Sequence, residues 1–388
     1  MSSADSSSRR GRVIVVAHSL DARDGGMETV HVELIRHCLA EIDVVAVSCR
    51  LDPSLVGQVE WHRVPVPERP APVRFALFFV VASLILWRLR RPHDVIHTCG
   101  AIVANRIALA SVHTVSAAVV AARGGHLAPR DVAPMRRMNS GLLRLMALFA
   151  ERFVYRPRRV ALLAAVSTLT ATEIETSYPG VPVVVTPNGV DADRFHPDEE
   201  VRASMRAALG LGDGVVAIFV GGDFDRKGLG VAIESLVTAE SVTLVAVGAG
   251  DLSRATSLAE GLGVADRVRL LGPRRDVDHL DQMADLYVCA SLYEADSLAL
   301  LEAAATGLAL VSTPVGSAEA LLGRPPAAAG LVVERTPVAI GEALEQLAGD
   351  PALRVAMGAL ARQRALERSW PSLATQMLGL YRALGEQR

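Results

Sequence analysis

Short runs of β-branched and apolar residues recur along this chain, each closed by a small or polar residue and followed by a helical period. Gly11–Ser19 (GRVIVVAHS), Ile42–Cys49, Asp94–Thr98 and Leu162–Ser167 are such runs in the first half, and Ser111–Thr114 (SVHT) ends another. Val215–Val220, Thr243–Val247, Val268–Leu271, Leu286–Cys289, Ala309–Thr313 and Leu331–Glu334 repeat the pattern in the second half. Strands that are apolar throughout, rather than alternating, belong in a parallel sheet with helices on both faces. The chain is therefore read as α/β and doubly wound, and as two such domains. A length of 388 residues, 51% of them hydrophobic, is enough for two cores. Val183–Asp191 (VVVTPNGVD), punctuated by Pro and Gly, marks the passage between them. The expected division is a polar disordered tail at 1–10 (MSSADSSSRR, with no apolar signal region), a first domain at 11–187, a second at 188–369, and a helical end at 370–388.

Open parallel sheets bind ligands at the carboxyl ends of their strands, so the residues there carry the functional argument. After the strand Leu286–Cys289 comes Tyr293–Gly307 (YEADSLALLEAAATG), with a helix expected from about Ser297. Glu294 precedes that helix and Glu302 lies about one turn inside it. The free N–H groups of a helix start suit an anion, and a carboxylate beside them suits vicinal hydroxyls. The stretch alone would equally describe a capped amphipathic helix with two surface acids. A second stretch adds to it. Phe219–Leu229 (FVGGDFDRKGL) ends a strand in Gly221 and Gly222, and Arg226 and Lys227 follow; a Gly-rich turn of this kind cradles phosphate. Lys227 is the single lysine among 40 basic residues, an exception in a chain that otherwise uses arginine.

With GGDFDRKG, then Glu294 and Glu302 with seven residues between them, and PNGVD before both, the chain resembles the retaining GT-B glycosyltransferases of family 4. The resemblance implies two Rossmann-like α/β domains facing a cleft, with a C-terminal helix crossing back to the first. It implies a retaining, metal-independent hexosyltransferase that uses a nucleotide diphosphate sugar and no other cofactor. Its catalytic residues carry over to His113, at a strand end near the transferred sugar, and to Glu294, Arg226 and Lys227. Donor binding carries over to Gly25, Gly26, Gly221, Gly222, Arg226, Lys227, Arg274 beside the base, Glu294, Ser297, Leu298, Ala299 and Glu302. The family commonly has Glu-Gly-Phe-Gly-Leu where this chain has Glu294-Ala295-Asp296-Ser297-Leu298. The loss of both glycines narrows the loop, and Asp296 brings an unfavourable charge toward a diphosphate unless it points away. Two other activities stay open: a nucleotide-sugar epimerase, for which Asp21, Asp24 and Glu28 are the few acid/base candidates, and a non-catalytic sugar-nucleotide-binding partner subunit.

Charge bears on the acceptor. Residues 1–187 carry 22 Arg against 15 acids (+7), and the remaining 18 basic and 27 acidic residues give −9. A basic first domain suits an anionic surface, and at 4% aromatic residues it does not suggest nucleic acid. The apolar run Phe75–Trp87, followed by Arg88, Arg90 and Arg91, is short for a span and reads as a buried helix or as one leaning on a membrane interface. A sugar, a lipid-linked intermediate or a small molecule is the expected acceptor, in polysaccharide or glycolipid assembly. Four scattered cysteines give neither a C-x-x-C nor a disulfide framework, so a cytoplasmic setting is expected, with peripheral contact at the inner membrane face. The D-x-D pairs Asp191/Asp193 and Asp223/Asp225 lie in the hinge and the Gly-rich turn and are not read as a metal site. His97 is read as structural. Gly124–Ser140 is read as a loop, and Leu142–Val154 as an amphipathic helix ringed by arginines.

Overall fold

The computed structural model describes residues 11–128 and 134–386; the tail expected to be disordered lies outside them. The chain forms two compact units, Asn188–Ser369 and the remainder, so Trp370 onward belongs to the first.

The first unit is a seven-stranded sheet. Its strands are β1 (Gly11–Val16), β2 (Ile42–Ser48), β3 (Glu60–Arg63), β4 (Val95–Cys99), β5 (Ile107–Val112), β6 (Val160–Ala165) and β7 (Val183–Val185), in the order β3-β2-β1-β4-β5-β6-β7. Every pairing is parallel. The second unit repeats the plan with β8 (Val215–Val220), β9 (Val242–Val247), β10 (Val268–Gly272), β11 (Leu286–Cys289), β12 (Ala309–Ser312) and β13 (Gly330–Val332), in the order β10-β9-β8-β11-β12-β13. Both are Rossmann-like, and in each the strand order reverses beside the first strand, opening a crevice at β1/β4 and at β8/β11. β4, β5, β11 and β12 are buried along their whole length, which is why they read as continuous apolar runs.

β3 was not expected. It is a four-residue edge strand of Glu-Trp-His-Arg, and polar edges of that kind keep a sheet from pairing with another chain. The segment read as a loop at Gly124–Ser140 is corrected in part. A helix runs from Pro134 to Val154, and a proline suits its first turn; 129–133 lie outside the described residues. The run Phe75–Trp87 is also corrected. It sits in a 19-residue helix, Ala71–Leu89, that is not a buried helix. Phe78, Ala82 and Leu86 enter the core, while Val73, Leu77, Val80, Leu84 and Trp87 face outward. The last helix, Trp370–Glu386, packs on helix Gly26–Cys38, and its Tyr381 hydroxyl meets His97 Nδ1 at 2.8 Å.

Candidate functional site

The second unit brings its two singled-out stretches together at the β8/β11 crevice. β8 ends in Gly221 and Gly222. Asp223 caps the short helix Phe224–Lys227, and Gly228 reverses the chain at φ 82°. Only glycine fits there, because a Cβ on Gly228 would stand 2.0 Å from the Ala290 carbonyl oxygen. A Cβ on Gly221 would meet Lys227 Cγ at 2.7 Å, so the bare turn is what admits the lysine side chain. From the β11 side comes Glu294. One of its carboxylate oxygens, Oε1, receives Arg226 at 2.8 Å, Lys227 Nζ at 2.9 Å and the Ser291 hydroxyl at 3.0 Å. Arg226 also donates to the Tyr293 carbonyl at 3.0 Å, and the Leu292 amide donates to the Arg226 carbonyl at 2.8 Å. One buried carboxylate thus gathers two cations beside the glycine turn, and Arg226 Nε also stands 3.4 Å from Asp223 Oδ2, so the cluster balances two cations against two carboxylates.

Three residues on, Ser297 caps the helix Leu298–Ala305 and accepts from the Leu300 amide at 3.4 Å. The amides of Leu298 and Ala299 have no intrahelical acceptor. Glu302 lies one turn further, half-buried. Burial raises its carboxyl to about 7 against the pull of Arg194 and Lys227. Arg194 itself donates to Asp278 at 3.2 Å. Behind them is Asp281, fully buried, with neither carboxylate oxygen hydrogen-bonded among the described residues. Burial, with Glu302 and Asp278 nearby, pushes it well above the usual carboxylate range. Sequence reasoning missed Arg194, Asp278 and Asp281, which approach Glu302 from distant segments. Arg274 is exposed and paired to Asp276, its Nε 2.8 Å from Oδ1.

Asp296 does not face the helix start as an added charge. It is buried and turned the other way. Its carboxylate takes the Asn188 amide at 2.9 Å, the Ser317 hydroxyl and the Arg368 guanidinium. Asn188 Nδ2 returns a bond to the Asp296 carbonyl at 3.1 Å. Asp296 therefore ties the PNGVD segment to the loop that holds Glu294.

In the first unit, the β1/β4 crevice collects imidazoles. The His113 ring lies 5.3 Å from that of His31, which is 5.6 Å from that of His97. Burial, then His31, lowers His113 to about 3, so it is neutral and can exchange one hydrogen bond at each nitrogen. Its Nε2 has no partner among the described residues, and neither has that of His31. His97 is satisfied at both nitrogens, by Tyr381 and by Ser111 at 2.7 Å. The ligand atoms of His31, Cys99 and His113 lie within 4.8 Å of one another. A tetrahedral zinc site brings such atoms to roughly 3.5 Å, and burial, then Glu28, pushes the Cys99 thiol up. Burial thus keeps the thiol and both imidazoles uncharged in the free protein. His31 and Cys99 were not singled out in the sequence, where only their place after the Gly pair and at a strand end marks them. Gly25 precedes and Gly26 opens helix Gly26–Cys38. Asp21 is paired to Arg23, and Asp24 to Ser19 and Arg50, which leaves these carboxylates committed to neighbours rather than free for proton transfer.

Residues 24–194 match the model of the family described as Glycosyltransferase Family 4, and residues 214–350 that of Glycosyl transferases group 1. The D-inositol 3-phosphate glycosyltransferase of Jonesia denitrificans is 29% identical over 333 residues, 78% of this chain and 75% of the relative. That of Corynebacterium urealyticum is 34% identical over 218 residues, and the match spans about half of each protein, 52% and 51%. The crystal structure of WaaG, a glycosyltransferase of lipopolysaccharide biosynthesis, superimposes with a TM-score of 0.77 over 94% of this chain and 98% of that one. Its identity is 21%, a likeness of fold.

Proposed function

The chain belongs to the GT4-type glycosyltransferases, and from that membership we propose that it moves a hexosyl group from a nucleotide diphosphate sugar to an acceptor, with retention, in glycolipid or polysaccharide assembly. The observation that carries this reading is the pairing of Arg226 and Lys227 on one Glu294 oxygen at the glycine turn, just before a helix start whose Leu298 and Ala299 amides have no intrahelical acceptor. Two cations and two free amides are what a departing diphosphate needs. As the bond from the anomeric carbon to the phosphate oxygen lengthens, charge grows on that oxygen, and donors fixed in advance stabilise it more than they stabilise the intact donor.

Arg226 and Lys227 supply the cationic charge, and Leu298 and Ala299 the amides. Glu302 accepts from the ribose hydroxyls, Glu294 positions the transferred sugar, and the turn at Arg274 borders the base. The neutral imidazole of His113 serves a sugar hydroxyl, and Gly25 and Gly26 offer close backbone approach to the diphosphate. The acceptor oxygen bonds the anomeric carbon on the face the diphosphate leaves. The acceptor's proton passes to the departing phosphate oxygen, so no protein nucleophile is used. With two side-chain cations on the leaving group, turnover is expected to survive chelation of divalent metals.

Thermal denaturation with UDP, GDP, ADP and dTDP tests the site. A ligand at a hundred times its Kd adds about 2.7 kcal/mol of stability. One nucleotide should stabilise the wild type and fail with Lys227→Ala. Failure of all four, or equal shifts in the variant, would reject the diphosphate assignment. The anomeric configuration of the product, read by NMR, decides retention.

A further inference from the structure

We propose that the helices Ala71–Leu89 and Pro134–Val154 of the first unit form a docking surface for an anionic lipid bilayer. The helices pack against each other, with the rings of Phe79 and Phe153 6.5 Å apart. Each carries an outward apolar stripe at helical spacing: Val73, Leu77, Val80, Leu84 and Trp87 on one, and Met135, Met138, Leu142, Leu145 and Phe149 on the other. All ten side chains are 40–67% exposed, and they run the length of both helices. Single exposed apolar residues are ordinary on a protein surface. Two such stripes on neighbouring helices are not, and they mark an interaction face.

The charges select the partner. Ala71–Leu89 contains no acidic residue, and the one acid of Pro134–Val154, Glu151, is buried against Ser116 and Tyr178. The charged side chains exposed on and directly after these helices are arginines: Arg88, Arg90 and Arg91 beyond Trp87, Arg136 and Arg137 beside the methionines, and Arg152 beyond Phe149. An apolar stripe edged along and beyond both helices by arginine, with Glu68 the acid exposed before the first, and with a tryptophan where the apolar part gives way to charge, suits the boundary between acyl chains and anionic headgroups.

By length and composition Ala71–Leu89 could cross a membrane. Its other face rules that out. Phe78, Ala82 and Leu86 are fully buried in the core of the unit, so lipid cannot surround the helix, and it lies on the bilayer.

The test is flotation of the full chain with vesicles of phosphatidylcholine alone and of phosphatidylcholine with phosphatidylglycerol. The chain should float with the anionic vesicles and be released by high salt. Leu84→Glu with Met138→Glu changes exposed positions only. It should cut vesicle binding at least tenfold while leaving the thermal midpoint and nucleotide binding unchanged. Arg136→Glu with Arg137→Glu should weaken binding to anionic vesicles selectively. The proposal is overturned if the wild type floats with neither vesicle, or if the double glutamate variant floats as well as the wild type. It is equally overturned if sedimentation shows a dimer that the same variant splits, because the face then belongs to a second copy of the chain.

Discussion

Glu302 gives the sharpest test of the donor site, because its protonation is set where assays are run. Its carboxyl titrates at about 7 in the folded chain, raised by burial from 4.5. An ionised carboxylate accepts hydrogen bonds from both ribose hydroxyls, whereas a protonated one must donate at one oxygen. If only the ionised form binds tightly, the affinity for a sugar nucleotide falls about tenfold from pH 8 to pH 6, or about 1.4 kcal/mol. A sugar nucleotide is the right probe, since its diphosphate is esterified at both ends and does not titrate in that range. Titration calorimetry at half-unit steps would read the slope, and Glu302→Gln should flatten it. Stability gives an independent sign. The folded chain holds a proton that the unfolded chain releases above 4.5, so this contribution is full below 4.5 and is lost as pH rises through 7. It amounts to on the order of 3 kcal/mol. Glu302→Gln should therefore stabilise the free protein at pH 8 and change little at pH 5. A wild type whose donor affinity is flat in pH, or a Gln variant with the wild-type slope, would refute the assignment of Glu302 to the donor.

Other substitutions test the supports of the site. Asp296→Ala leaves the half-buried Arg368 guanidinium without its carboxylate, and should cost about 3 kcal/mol in urea denaturation. Gly228→Ala meets both a positive φ and the Ala290 carbonyl, and should destabilise the second unit by more than about 2 kcal/mol and weaken nucleotide binding through the displaced Lys227. His113→Ala should lower kcat while leaving nucleotide affinity within about twofold, the split expected of a residue that serves the transferred sugar alone. His18, packed on Phe75 and Phe78 and lowered to about 4 by burial and Arg74, carries no proton where the unfolded chain does. Stability should then fall by about 3 kcal/mol as pH drops from 6.5 to 4, and His18→Phe should remove that slope.

What the sequence showed and what it hid divide by range. Val215–Val220 and Leu286–Cys289 were legible to the residue because a strand buried on both faces must be apolar at every position. β3 was not, because an edge strand is half solvated and Glu-Trp-His-Arg has no apolar period. The helix Ala71–Leu89 was legible as a helix but not by its environment. An all-round apolar segment has no polar face to show which side meets the core and which meets another apolar medium. In the site, the glycine turn, Arg226, Lys227, Glu294 and the Ser297 cap lie in two short local stretches, so their order alone pointed to a phosphate and a sugar. Asp281, Arg194 and Asp278 carry no such mark, since each gains its meaning from a partner in a distant segment.

Asp296 shows how a local rule fails. Judged within its loop, it adds negative charge where a diphosphate is expected, and the narrower E-A-D-S sequence looks like a damaged site. The residues that reverse that judgement, Asn188, Ser317 and Arg368, lie up to 108 positions away. Together they draw the carboxylate inward and away from Arg226 and Lys227. A phenylalanine at 296, as the family commonly has, could accept none of these bonds, whereas an aspartate with three fixed partners holds Glu294 and Ser297 to one geometry. The charge that seemed to oppose the ligand thus serves as an anchor. By the same reasoning Asp296→Phe, the family-like residue, should release the anchor and lower stability, and it should not improve donor binding.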